Sequence, residues 1–145
     1  AGTASGLDQL LMLESKSSSL RSLIFKEQFF SSAMLRKEDF KFFSKLYRLE
    51  FHDIINLTQD NLQTALCKSN NVTLLTFTNC KENKIDKIEG IKLHNLKLFS
   101  ISGSQIKPLA IENLLSETKC LKSLKLSDCD DLTNLFNSDS WIICC

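Results

Sequence analysis

One apolar pattern recurs five times in this chain at nearly constant spacing. It starts at Leu20 in "LRSLIFKEQ", Leu46 in "LYRLEFHDI", Val72 in "VTLLTFTNC", Leu96 in "LKLFSISGS" and Leu121 in "LKSLKLSDC". Each copy reads apolar, two residues, apolar, one residue, apolar, two residues, then a variable position. The starts are separated by 26, 26, 24 and 25 residues. In-phase self-similarity of this length marks a chain built from one supersecondary unit, stacked so that neighbours complete each other's core. Within each copy the last apolar positions alternate, as Leu124 and Leu126 do, which is the period of a strand with one buried face. Strands are therefore expected near Leu23, Leu49, Leu75, Phe99 and Leu124, with Leu75, Phe77, Phe99 and Leu124 in the core.

The intervening segments read as return paths. "SSAMLRKEDFKFFSK" carries Met34, Leu35, Phe40 and Phe43 at roughly helical spacing. "LTQDNLQTALCKS" opens on Thr58, a good N-cap, and places Leu62, Ala65 and Leu66 on one stripe. "KPLAIENLLSETK" puts Pro108 in a first helical turn, where its missing N–H is harmless. "NKIDKIEGIKLHN" is shorter and holds Gly90, so a turn or a short 3₁₀ piece is expected there. The lead-in over 1–19 is amphipathic, with Leu7, Leu10, Leu11 and Leu13, and is expected to be a helix, a preceding repeat or a cap.

Length and composition agree with one globular domain over 1–145, with the repeats at 20–135 and a tail at 136–145. The tail, "NSDSWIICC", is apolar where a stacked array needs a polar cap. Either a further repeat follows, or Trp141 folds back over the last layer. The chain, with no initiator Met, is expected to be a piece of a longer protein. Of its 145 residues, 43% are hydrophobic and 24% charged, and the formal net charge is +1. A nearly neutral chain exerts no general pull on nucleic acid or an anionic membrane, and no apolar run reaches the ~18 residues of a membrane span. No secretory leader is legible at the start.

The pattern resembles the leucine-rich repeat family, whose units run L-x-x-L-x-L-x-x-N/C-x-L over 20–29 residues. The resemblance covers about Leu20 to Leu135 and implies an α/β solenoid of about five strand–turn–helix units with a parallel sheet on the concave side. The variable position departs from the family: it reads Gln28, Ile54, Cys80, Ser104 and Cys129, with the usual Asn absent. Cysteine there is typical of the cysteine-containing intracellular subclass. "CLKSLKLSDCDDLTNL" is similar to the repeats of F-box substrate receptors of ubiquitin ligases, although the F-box itself is not among these residues. The same phrasing resembles the sensor domains of nucleotide-binding immune receptors, and "IDKIEGI" is similar to repeat regulators of phosphatases.

Six cysteines, Cys67, Cys80, Cys120, Cys129, Cys144 and Cys145, are an even number. Cys80 and Cys129 hold the same repeat position, where a small buried residue is wanted, and the adjacent Cys144 and Cys145 are poorly placed to pair. Free thiols in a reducing, intracellular setting, cytoplasmic or nuclear, are the expectation. The sequons at Asn56 and Asn71 point the other way, but such triplets are common by chance.

No reactive constellation emerges. Neither His52 nor His94 has a Cys or His at ligand spacing. There is no P-loop, dinucleotide fingerprint or nucleophile elbow. Asp130 and Asp131 read as solvated turn residues. The expectation is a binding module and not an enzyme, with no cofactor and no metal. Its partner is expected to be a protein, with no nucleic acid or membrane involved; the oligomeric state is left open. The outward-facing columns of the sheet place Leu74 and Leu98 side by side where polar residues are expected, with Tyr47 and Arg48 beside them and Lys97 and Lys122 at the rim. These six form the candidate contact surface. A covered, purely structural segment of a scaffold is the alternative of a different class.

Overall fold

A computed structural model describes residues 20–26, 41–54, 59–80, 84–85, 91–103, 105–116 and 118–127. Five strands of five residues each form one sheet: β1 (Ser22–Lys26), β2 (Arg48–His52), β3 (Leu74–Thr78), β5 (Leu98–Ser102) and β7 (Ser123–Ser127). They lie side by side in chain order, and every pairing is parallel. Two-residue strands β4 (Lys84–Ile85) and β6 (Gln105–Ile106) pair in a second, small parallel sheet. The connections include a 3₁₀ turn at Lys41–Lys45, helix α1 (Gln59–Lys68) before β3 and helix α2 (Pro108–Leu115) before β7. The architecture is α/β with an open, all-parallel sheet.

The register follows the apolar pattern. Leu23, Leu49, Leu75, Phe99 and Leu124 are successive partners across the sheet, as are Phe25, Phe51, Phe77, Ile101 and Leu126. A one-residue slip in any pair would turn both rows out to solvent, so burial of one face holds the register. Apart from the partly buried Leu126, every residue of these two rows is buried. Phe25, Phe51 and Phe77 stack along the interior with centroids 5.3 and 5.2 Å apart and planes within 11° and 5° of parallel. Phe99 stands in the neighbouring row, so its ring meets Phe77 tilted by 47° at 6.2 Å.

The helices complete the core. On α1, Leu62, Ala65, Leu66 and the following Ser69 are buried at i, i+3, i+4 and i+7, one helix face. Buried Ser69 is satisfied by its own helix, its Oγ donating to the Ala65 carbonyl at 2.7 Å. Asp60 in the first turn and Lys68 in the last suit the helix dipole. On α2, Pro108 follows the extended N-cap Lys107, as its position in sequence predicts. Ala110, Ile111, Leu114 and Leu115 face the core.

Two expectations change and several fall outside the described residues. The segment read as a helix ending at Lys45 is a 3₁₀ turn over Lys41–Lys45, the part of it that is described. There Phe43 is buried and the Leu46 N–H closes onto the Phe43 carbonyl at 3.3 Å, a three-residue spacing that brings the chain to β2. The turn or 3₁₀ piece expected after Asn83 begins with strand β4, drawn into extension by pairing with β6. The lead-in at 1–19, Gln28, the Thr58 cap, Ser104, Cys129 and the tail lie outside the described residues.

The turn after β2, β3 and β5 repeats as well. Asp53 and Asn79 have φ of 55° and Gly103 has φ of 63°. These residues stand at the same place after β2, β3 and β5, and their N–H groups donate to Thr78, Ser102 and Ser127 carbonyls at 2.9, 2.8 and 3.0 Å. The left-handed region is open to Gly and tolerated best, among residues with a Cβ, by Asn and Asp.

Candidate functional site

The outward face of the sheet is laid out in rows. Ser22, Arg48, Leu74, Leu98 and Ser123 form one, and Ile24, Glu50, Thr76, Ser100 and Lys125 the next. Lys26, His52, Thr78, Ser102 and Ser127 form the third. A further row, Arg21, Tyr47, Thr73, Lys97 and Lys122, runs just before the strands and is tied together by backbone N–H to carbonyl bonds of 2.8 Å at each step. All six predicted contact residues therefore share two neighbouring rows.

Leu74 and Leu98 are direct partners on adjacent strands, about 4.8 Å apart by strand spacing. Both are half-buried, unlike the core residues Leu75 and Phe99 that follow them in sequence. Tyr47 is 51% exposed and Ile24, also on this face, 42% exposed. Arg48, Lys97 and Lys122 are exposed. The result is an apolar pair on β3 and β5, with Ile24 on β1 and Tyr47 just before β2 exposed on the same face and cations beside them.

β2 carries a feature that spacing alone did not single out. Arg48, Glu50 and His52 occupy alternate positions and so project from one face. Glu50 is buried, at 7% exposure. Its Oε2 accepts from Arg48 Nε, and its Oε1 lies 2.7 Å from His52 Nε2. Burial pushes the carboxyl up, but the hydrogen bonds from His52 and Arg48 and their charges outweigh it, so Glu50 is held below the ordinary carboxylate range. An ionised acceptor places the His52 proton on Nε2. The readable cue was Arg-x-Glu-x-His, complementary charges at period two on an outward strand face. Ile24, likewise outward in its column, was the second residue not singled out.

A cleft of about 360 Å³ opens at the C-terminal end of α1, lined by Leu66, Cys67, Asn70, Asn71, Lys92, His94 and Asn95. Asn71 Nδ2 is already engaged by the Ser44 carbonyl at 2.8 Å. The lining brings Cys67 and His94 to one cleft, with no carboxylate among its described residues. Among the described residues, no group of three or more His, Cys, Asp or Glu is placed to hold a metal, and no helix is long and apolar enough to cross a membrane. Cys67 and Cys120 are exposed free thiols and Cys80 a buried one.

Compared with protein-family models, curated proteins and solved structures, the chain has no match in any of the three.

Proposed function

We propose that this chain is a leucine-rich repeat solenoid of the cysteine-containing class, acting inside the cell, whose outward sheet face, concave in such a solenoid, binds a protein partner. Support for the architecture comes from the sheet running in chain order with unbroken register, the ladder of buried phenylalanines, and the left-handed turn repeated after three strands. An all-parallel sheet normally has both faces covered. Here the strands alternate buried with half-buried or exposed side chains, most clearly in β3 and β5, so one face is left for contact.

The observation that carries the functional reading is the pair Leu74 and Leu98, half-buried side by side in one outward row, with Tyr47 and Ile24 exposed nearby. Apolar anchors at the centre of a patch supply most of the affinity in protein interfaces, and charges at the rim steer approach. The role is binding and not catalysis. The resemblance to F-box receptors makes recruitment of a ubiquitination substrate the form of binding to examine first; sensing in an immune receptor is the alternative.

The test is affinity capture with the wild type and Leu98→Asp in parallel, identification of what is lost, and rebinding of that purified partner, with thermal melts alongside. Loss of binding at an unchanged melting temperature supports the proposal. Binding of the partner by Leu98→Asp as by the wild type would refute it. A markedly lower melting temperature would make Leu98 a covered residue of a structural segment.

A further inference from the structure

The five strand segments, taken with the residues that lead into them (20–26, 46–52, 72–78, 96–102 and 121–127), hold six cations, Arg21, Lys26, Arg48, Lys97, Lys122 and Lys125. They hold one carboxylate, Glu50. Their formal charge is therefore +5. The rest of the chain holds the other twelve of the 18 cations and sixteen of the 17 carboxylates, which is −4. The overall +1 hides a strong segregation.

Three of these cations, Lys97, Lys122 and Lys125, are also without an ion pair among the described residues. The single carboxylate of these segments is buried and engaged by Arg48 and His52, so it offers no anion to a neighbour. Lys97 and Lys122, just before the adjacent strands β5 and β7, and Lys125 on β7 are exposed. The Lys122 N–H binds the Lys97 carbonyl at 2.8 Å, which holds two ammonium-bearing residues side by side at the entries of neighbouring strands. Next to Leu98 and Lys125 lie hydroxyls, half-buried Ser100 and Ser123 among them, which can donate to a carboxylate.

We infer that the partner segment received by this face is an acidic peptide, rich in Asp and Glu, with one apolar residue that packs on Leu74 and Leu98. This rests on the reading of the sheet face as the binding surface and adds the chemistry of what it takes. The apolar pair gives the anchor, and Lys97, Lys122 and Lys125 receive the carboxylates. A short acidic peptide is favoured over an extended polyanion such as nucleic acid because the surplus positive charge is confined to these five segments, while the rest of the chain is net negative. Five strands at about 4.8 Å span about 19 Å, which an extended peptide crosses in about six residues.

The experiment uses the full chain and fluorescently labelled peptides of about that length. One is Asp/Glu-rich around a central Leu, and the other is its Asn/Gln isostere. Anisotropy is measured at low and at physiological salt, where the screening length falls from about 30 Å to about 8 Å. The acidic probe should bind at least about tenfold tighter than the isostere and weaken with salt. The double variant Lys97→Glu/Lys122→Glu, with an unchanged melting temperature, should abolish that preference. Equal binding of both probes, lost in Leu98→Asp, would overturn the acidic partner while leaving the docking face intact. Acidic binding indifferent to both variants would overturn face and partner together. An unlabelled single-stranded oligonucleotide that displaces the probe more tightly than the unlabelled peptide would assign the face to nucleic acid and overturn the proposal, as would no binding of the acidic probe.

Discussion

The rings of Phe51 and Phe77, on adjacent strands, lie 5.2 Å apart and within 5° of parallel. Both are fully buried. They are strict register partners, so stacking geometry and strand pairing hold each other in place. Phe77→Ala should cost about 3–5 kcal/mol, by lost transfer energy and the cavity left behind. That loss is a large share of the roughly 5–15 kcal/mol that holds a domain folded. A double cycle with Phe51→Leu should show a coupling of about 0.5–1.5 kcal/mol from the stacked pair. Urea denaturation measures both; unchanged midpoints would contradict the packing.

Glu50 makes stability depend on acid. Its folded pKa lies below the ordinary value of 4.5. The unfolded chain therefore takes up the proton first as pH falls. The stabilisation is fully present above about pH 4.5 and is lost as pH drops through the lowered folded value. Glu50→Gln should flatten the acid limb of stability against pH relative to the wild type and cost about 1–3 kcal/mol near neutrality, through lost charge-assisted bonds. Denaturant midpoints over the acid range are the readout, and an identical slope in the variant would remove Glu50 from the account.

The left-handed turn after β3 discriminates among side chains. Asn79 at φ 55° should accept Gly with little change, whereas Asn79→Val should cost about 1–2 kcal/mol because a β-branched side chain crowds that backbone. Gly103→Val should behave like Asn79→Val. Thermal melts of the three variants decide it, and equal tolerance of Gly and Val at Asn79 would argue against the turn.

Thiol reactivity should follow burial. The Cys80 thiol is pushed up by burial, with Asp53 adding to the rise and backbone hydrogen bonds from Ile54 and Thr78 opposing it. Its Sγ donates to the Phe51 and Thr78 carbonyls at 3.8 and 3.6 Å. Little thiolate and no access make a slow nucleophile. Iodoacetamide footprinting of the native protein should label exposed Cys67 and Cys120 first and Cys80 only on unfolding. Early labelling of Cys80 would place it outside the core.

Much of the fold was legible because the apolar residues repeat with two nested periods, one of two along each strand and one of about 25 between strands. Together they identified the inward rows Leu23 to Leu124 and Phe25 to Leu126, the outward columns and hence the pairing of Leu74 with Leu98. Pro108 marked its helix start by an equally local rule. The form of the connections was less legible. Whether a return path is an α-helix, a 3₁₀ turn at Lys41–Lys45 or a strand at Lys84–Ile85 depends on what the neighbouring unit offers for pairing, and local spacing does not encode that. The state of Glu50 was also decided by tertiary structure. The sequence placed a carboxylate on an outward column beside Arg48 and His52. Only the folded sheet, which sets Glu50 between Ile24 and Thr76 with Arg48 and His52 both bonded to it, buried that carboxylate and left the described residues of the five strands without a free anion.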